Sequence, residues 1–420
     1  MMNVLLLGSG GRENALAHIL SKSPILQRLY IAPGNPGTAE YGINVPIGAS
    51  DFPALYELAQ KQDIRLIVCG PEDPLVKGVY DFFKPLGIPV VGPSQFAAQL
   101  EGSKSFAKQF MQRHNIPTAS YREFDSGSLT EGIKWLNQTP GPYVLKADGL
   151  AAGKGVVILT DREEAKKELS RMITEKKFGE ASARVVIESF LQGIEFSVFA
   201  LTDGKDYLIL PEAKDYKRIG EGDTGLNTGG MGAVSPVPFF TPELRQLVED
   251  TIVRPTISGL LKDKIEYKGF LYFGLILTDS GPQVIEYNCR MGDPETEAVM
   301  PRIISDILPV FLSLFDGSLK GQSIQVDTRT AITVIVASGG YPEAFSKNLA
   351  ITWEPEAGCI VYQAGTTINQ DQLVTSGGRV LALTALGESV NDAVQIALQQ
   401  ADKVLLEGKY YRRDIGFEFR

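Results

Sequence analysis

Residues 145–156 read LKADGLAAGKGV, and they continue an apolar run that opens PYV at residue 142. Lys146 therefore falls inside a strand pattern over 143–148, where a lysine is costly unless its ammonium meets an anion. Gly149, Gly153 and Gly155 follow, spaced by alanines and Lys154. Residues this small let a hairpin loop close over phosphate oxygens, and the chain returns to a strand at 156–159. The segment is not a Walker loop. Its first two glycines are four positions apart where that motif needs about five, and Gly155 stands where Ser or Thr should follow the lysine. It also joins two strands, whereas a P-loop feeds a helix. The plainer alternative is a tight hairpin with one exposed lysine.

Toward the N-terminus, strand patterns at 3–7, 28–32, 65–69 and 88–91 alternate with helical patterns at 13–22 and 73–84. This alternation predicts a doubly wound parallel sheet, whose ligands bind at the carboxyl ends of the strands. The loops GSGGRE, APGN and CGPED all leave strand ends and so line one crevice. Bare backbone N–H groups at a helix start suit an anion. Glu13, however, occupies the place of the third glycine of a dinucleotide fingerprint. The first loop thus serves anion binding or tight packing equally well.

Toward the C-terminus, a helix from about 103 ends at NIP, a charged amphipathic helix spans 161–176, and strands lie at 185–188 and 195–201. A long glycine-rich loop covers 216–235, a helix 241–261, and a strand pair 270–278 and 283–289 around the turn DSG. From about 326 a strand, AITVIVAS, opens a small α+β unit with glycine-rich turns and a helix at 389–404. The expected domains are 1–102, 103–325 with a lid at about 119–190, and 326–420.

Three further stretches carry chemistry. In VIESFLQGIEFSV, Glu188 ends one strand and Glu195 opens the next. The linker at Phe190 and Leu191 can offer backbone groups to an adenine edge, and an acid at a strand start can bind ribose hydroxyls; a solvated turn is the alternative. In VIEYNCRMGDPE, Glu286 and Asn288 are two apart, which predicts one shared face together with Val284 and Arg290. A carboxylate beside an amide oxygen is a hard-oxygen set suited to Mg²⁺, and Asn288 is a poor strand former that needs a reason to be there. Asp215, Lys217 and Arg218 stand at the mouth of the glycine-rich loop, and unstructured loops of that length are uncommon and often functional.

Bulk properties narrow the classes. A chain of 420 residues, 44% hydrophobic and 22% charged, is an ordinary multidomain globular composition. A net charge of −9 with no basic stripe argues against nucleic-acid and membrane surfaces. Three scattered cysteines make no disulfide framework, and two histidines exclude a His-rich zinc site. With neither a signal-peptide pattern nor a long apolar run, a reduced cytoplasmic enzyme is expected.

In order, the lysine strand, glycine hairpin, acid-bearing linker and Glu-x-Asn strand resemble the ATP-grasp superfamily. GSGGREN, APGNPGT, GPEDPLVKG, EGSKSFAK, DTGLNTGGMGA and IEYNCRMGDPET extend the likeness to the phosphoribosylamine–glycine ligase family over nearly the whole chain. That resemblance implies ATP-dependent ligation of glycine to 5-phosphoribosylamine through glycyl phosphate. The products would be glycinamide ribonucleotide, ADP and phosphate, in de novo purine synthesis. It implies ATP with Mg²⁺, or Mn²⁺ in its place, only small-molecule partners, and a monomer in preference to an oligomer.

Residue by residue, the resemblance assigns Lys104, Lys146 and Lys154, with Gly149, Gly153 and Gly155, to ATP phosphates. Glu188, Phe190 and Leu191 go to adenine, Glu195 to ribose, and Glu286 and Asn288 to the metal. Gly10, Gly11, Arg12, Glu13, Asn35 and Glu72, with Asn227, Gly229, Gly230 and Asp293, go to substrate binding. Arg290, Asp215 and Lys217 are the catalytic set, Arg290 and Asp215 orienting glycine. Lid candidates are 149–155 and 220–232. Three positions depart from the family pattern: Asn14 and Tyr216 replace histidines, and Gly274 replaces a second metal carboxylate. Other readings are a different ATP-grasp carboxylate–amine ligase, a nucleotide-dependent oxidoreductase, or a non-catalytic ATP-binding protein.

Overall fold

The computed structural model describes residues 1–151 and 155–420. Gly153 and Lys154, both assigned above to phosphate, lie outside the described residues. The N-terminal strands Met2–Gly8, Leu26–Pro33, Ile43–Asn44, Ile64–Cys69 and Val90–Pro93 pair in parallel, with Met2–Gly8 between Leu26–Pro33 and Ile64–Cys69. Val4, Leu5, Leu6 and Leu7 are all buried, because helices cover both faces of a parallel sheet and an alternating pattern is not required. The helix expected over 73–84 is two short ones, Glu72–Val76 and Val79–Phe83. Gly78 between them has φ +87°, a left-handed conformation that ends the first helix before the second can start.

The parallel sheet does not stop at the first domain. Tyr267–Thr278 adds antiparallel to Val90–Pro93, and Ile194–Thr202, Tyr207–Asp215, Gly232–Ser235, Thr330–Ala337, Arg379–Gly387 and Cys359–Gln363 follow in that order. Among the described residues this makes one 13-stranded sheet, with Gly281–Asn288 paired on Tyr267–Thr278. The strand Tyr207–Asp215 is absent from the sequence reading, and the loop expected over 216–235 is mostly structured. It contains the hairpin Arg218–Gly220/Thr224–Asn227 and then Gly232–Ser235, a central strand. Glycine-rich composition hid that strand, because Gly and Ala have low strand propensity and only its neighbours make it pair.

A separate four-stranded antiparallel sheet, in the order Tyr121–Asp125, Arg184–Ser189, Tyr143–Ala147, Val156–Leu159, occupies the stretch expected to act as the lid. Its core, including Phe124, Leu145, Leu169, Met172 and Ile187, is distinct from the clusters under the large sheet. The linker 190–193 joins the two sheets, since Arg184–Ser189 belongs to one and Ile194–Thr202 to the other. In the last unit, the helix Val390–Lys403 is capped by Ser389, which accepts from Asp392 N. It packs Ala393, Val394 and Ala397 onto Val334 and Ala385. No helix among the described residues is long and apolar enough to cross a membrane.

Candidate active site

Lys146, on the strand Tyr143–Ala147, donates to Ile285 O at 3.3 Å and stands behind Glu188 at the edge of a cavity of about 190 Å³ that Glu188 and Ile285 line. A lysine buried on a strand needs an anion beside its ammonium. Here it is Glu188 on the neighbouring lid strand, whose Oε1 lies 3.0 Å from Lys146 Nζ. Glu188 also holds Lys108 at 3.1 Å, and all three side chains are nearly buried. Lys108 is missing from the sequence assignments. It sits one helical turn after Lys104 on Lys104–Arg113 and shares its face; that spacing was the available signal. Burial pulls the Lys108 pKa down to about 8, against the raising effect of Glu188. Burial likewise lowers Lys104. Glu188 stays below the usual carboxylate range because the two lysines outweigh its desolvation. Lys104 and Lys108 line the cavity, and Glu188 carries the charge of Lys108 and Lys146, so among the described residues Lys104 is the lysine there not paired with a carboxylate and suited to an incoming anion.

The loop after Lys146 is tied to that helix. Asp148 Oδ1 accepts from Ser103 Oγ (3.0 Å) and Ser105 N (2.7 Å), and Lys104 N donates to Asp148 O (3.0 Å). Gly149 and Gly155 are held beside Lys104, whose Nζ donates to Gly149 O at 3.4 Å. Phe190, exposed, and Leu191, half-buried, lie on the linker just beyond Glu188.

Glu286, Asn288 and Arg290 line the same cavity. Val284 does not share their face, contrary to the simple two-residue alternation. Glu286 pairs with Gly274 but Val284 pairs with Leu275, so Ile285 is an extra residue, a β-bulge. The bulge flips the alternation: Val284 goes to the core with Tyr287 and Cys289, while Ile285 and Glu286 both face the cavity. Gly274 lies directly across from Glu286, and a Cβ built there stands 3.2 Å from Glu286 Cγ. No cluster of three or more His, Cys, Asp or Glu side chains able to hold a metal exists among the described residues. Glu286 and Asn288 are thus a two-oxygen set, which fits a Mg²⁺ that completes its shell with water and phosphate oxygens.

Arg290 is already engaged. Its Nη2 pairs with buried Glu101 at 2.7 Å, its Nε with Glu72 at 3.2 Å, and its Nη1 donates to Met291 O at 3.2 Å. Glu101, absent from the sequence reading, also accepts from Cys289 N (2.8 Å) and so fixes the turn that follows Asn288. That turn leads to a second, open cavity of about 590 Å³. Gly10, Gly11 and Asn35 supply one wall and Asp293 another, as expected. The remainder comes from the last domain: Tyr341, Thr366, Thr367, Ser376 and Arg379. Tyr341 is 48 positions from Asp293 and the other four are 73 or more, and only the sheet's continuation brings them over. Arg379 Nη1 pairs with Asp293 Oδ1 at 3.0 Å and donates to Gly229 O at 2.6 Å. Gly230 packs against Pro294 beside it.

Six substrate assignments do not line that cavity: Gly229 and Gly230 stand behind Arg379 and Pro294, and the other four turn elsewhere. Glu13 turns back on its own loop, accepting from Gly10 N (2.6 Å) and Ser9 N (3.1 Å) and pairing with Arg12 Nε at 2.7 Å. Gly8, with φ +121°, leaves room for this: a Cβ there would lie 2.5 Å from Glu13 Cδ. The carboxylate thus occupies the anion position of the glycine turn and explains why position 13 is not glycine. Arg12 donates to Met291 O (3.2 Å), and Glu72 turns to Arg290. Asn227 is exposed on the hairpin. Asn14 stands behind Asn35, its Nδ2 3.4 Å from Asn35 Oδ1.

Asp215 and Glu195 stand on adjacent strands and meet Lys217, two residues past the end of Tyr207–Asp215, with Lys217 Nζ 2.7 Å from Glu195 and 3.5 Å from Asp215. Burial opposes the charge on Lys217, but Asp215 and Glu195 outweigh it and raise its pKa, with Glu286 contributing. Tyr216, between them in sequence, faces the other way into a hydrophobic cluster. Two buried acids behind the site had no sequence assignment. Glu295 accepts from Ser197 Oγ (3.3 Å), and burial, then Asp215, push its pKa up to about 7. Glu297 is wholly buried and raised by burial and by Asp293.

This combination, a lysine-lined cavity under an antiparallel lid beside a Glu-x-Asn strand, can be set against known proteins. Residues 102–296 match the profile described as phosphoribosylglycinamide synthetase, ATP-grasp (A) domain. The N-domain profile matches 2–101 and the C-domain profile 331–418. The chain belongs to the phosphoribosylglycinamide synthetase family. A phosphoribosylamine–glycine ligase from Haemophilus influenzae is 46% identical, the alignment covering 99% of this chain and 98% of that one. One from Chlorobaculum tepidum is also 46% identical, covering 99% of each. The crystal structure of the Thermotoga maritima phosphoribosylamine–glycine ligase superposes with a TM-score of 0.84 at 38% identity, covering 98% of this chain and 100% of that one. The biotin carboxylase domain of Hydrogenobacter thermophilus 2-oxoglutarate carboxylase, solved with MgADP and bicarbonate, superposes with a TM-score of 0.74 at 17% identity. It covers 98% of this chain and 92% of that one and shares the fold alone.

Proposed function

We propose that this protein joins glycine to 5-phosphoribosylamine at the expense of ATP, giving glycinamide ribonucleotide, ADP and phosphate in de novo purine synthesis. One observation carries the reading beyond family membership. The two cavities sit at the two ends of a single turn: Arg290 lines the first and Asp293 the second. Three residues span at most about 11 Å, so an activated group made in the lysine cavity lies within reach of an amine held in the other. Lys104 and Lys146 take the ATP phosphates, with the linker at Phe190 and Leu191 against adenine and Glu195 at the ribose. Gly10, Gly11, Asn35, Asp293 and Arg379 receive phosphoribosylamine. Ser376, Thr366 and the Arg379 guanidinium suit a phosphate. Glu286 and Asn288 would hold Mg²⁺, or Mn²⁺ in its place, which when bound neutralises phosphate charge.

The chemistry has two steps. A carboxylate oxygen of glycine attacks the γ-phosphorus and ADP departs, leaving glycyl phosphate. The amine of phosphoribosylamine then attacks the acyl carbon, the C–N bond forms, phosphate leaves, and the amine loses a proton. Such transfers need positioning and charge neutralisation more than a protein nucleophile, which the lysines, Asp215, Lys217 and Arg290 supply. Neither histidine is called on: His18 lies against Tyr362, and His114 pairs with Asp263. ADP release that requires glycine and phosphoribosylamine together tests the substrates; release unaffected by omitting either one refutes them. Glycine labelled with ¹⁸O in its carboxylate passes one label to phosphate if the acyl phosphate forms, and unlabelled phosphate rules that route out.

A further inference from the structure

Asp215 and Lys217 face Glu195, so by strand alternation Tyr216 faces away from the site, and it is almost wholly buried. What it meets there is a second, separately held segment, residues 410–418. Tyr216 donates its hydroxyl to Glu418 Oε2 at 2.8 Å, while Lys214 pairs with Glu418 Oε1 at 2.8 Å. Tyr410 donates to Ile219 O at 2.7 Å, and Arg413 N donates to Glu221 Oε1 at 3.1 Å. Gly222 N donates to Asp414 Oδ2 at 2.7 Å. At the centre is Arg412, fully buried. Its Nε and Nη2 fork onto Asp414 at 2.8 and 2.7 Å, and its Nη1 reaches Asp223 Oδ1 at 2.7 Å and Arg218 O at 3.1 Å. Its guanidinium carbon lies 5.2 Å from the Tyr216 ring centroid.

Apart from the fork of Arg412 on Asp414, each of these contacts lands between residues 214 and 223, the stretch that carries Asp215 and Lys217. Residues 221–227 of the hairpin are otherwise exposed, so its position is not set by packing. A buried guanidinium is stable only when its charge and donors are matched. Moving the hairpin would strip Arg412 of Asp223 and of Arg218 O together.

We infer that residues 410–418 clamp the segment 214–223, and that Arg412 is a positioning residue for the glycine half of the site, acting through Asp215 and Lys217. This rests on the ligase reading, in which those two residues meet glycine. The clamp gives the last domain a role at the glycine end, separate from the Arg379 wall of the other cavity.

The test uses two variants of the full chain. Arg412→Met strands two carboxylates and can fail to fold. Asp223→Asn, on the half-exposed side of the pair, leaves the Arg412–Asp414 fork intact and removes only the Asp223 charge. In Asp223→Asn the KM for glycine is expected to rise roughly tenfold, the scale of a lost charged hydrogen bond. The KM for ATP, and binding of a fluorescent ATP analogue, should stay within about twofold. Equal rises in both KM values, or a lowered melting temperature with neither changed, overturn the clamp. Hydrogen exchange over residues 216–227 is read in parallel and needs no turnover. It should speed in Asp223→Asn, and unchanged exchange overturns the clamp independently. If the wild-type protein shows no glycine-dependent ADP release, the ligase reading fails, and exchange alone decides whether 410–418 holds the hairpin.

Discussion

Replacing Glu188 by glutamine isolates the charge at the heart of the lysine cavity. The carboxylate holds Lys146 at 3.0 Å and Lys108 at 3.1 Å, and the side chains of all three are 5% exposed or less. Glutamine keeps the shape and one acceptor but no charge, leaving two buried ammonium groups unmatched. Removing one partner of a buried pair costs about 3–5 kcal/mol; the retained amide oxygen favours the lower figure. About 3 kcal/mol is roughly a hundredfold in an opening equilibrium. Hydrogen exchange of the lid strands Tyr143–Ala147 and Arg184–Ser189 should therefore accelerate by about that factor. The sign with pH follows from Lys108. Burial disfavours the charged form of Lys108, so in the folded state it loses its proton at lower pH than in the unfolded chain. Stability then rises as pH climbs through the folded pKa toward the unfolded value. With Lys108 already near 8 in the intact protein, Glu188→Gln should recover more protection between pH 7 and 9.5 than wild type does. Saturating ATP should also recover protection, because phosphates replace the lost charge. Exchange indistinguishable from wild type at pH 7 would refute the idea that Glu188 balances the two lysines.

Three other outcomes are expected. Glu286→Ala should abolish nearly all ADP release dependent on both substrates; wild-type turnover would remove it from the metal set. Arg379→Met, in the second cavity, should raise the phosphoribosylamine requirement by roughly tenfold or more and leave the ATP requirement alone, and the reverse pattern would place the amine elsewhere. Gly11→Ala puts a methyl 2.4 Å from Glu297 Oε1, an overpacking worth about 1–3 kcal/mol; a melting temperature equal to wild type would mean that Glu297 is free to move.

The strand of Lys146, the linker after Glu188 and the Glu286/Asn288 pair were legible in the sequence because each is local. A lysine in an apolar run, or two polar residues on one strand face, is set by spacing of a few residues. The same holds for the parallel strands and for Gly10, Gly11 and Asn35 at their ends. Partner choice was not local. Lys108 and Glu188 are 80 positions apart in sequence, and Glu101 reaches Arg290 across 189, so which carboxylate meets which cation depends on how the sheets dock. Nor could spacing show the bulge at Ile285, because an extra residue in one strand exists only relative to its partner. The Arg379 wall and the Arg412 clamp belong to the same class. A sequence states which charges must find partners, since burying an unmatched charge is too costly; only the tertiary structure, by bringing distant segments to the same few ångströms, decides which partners they find.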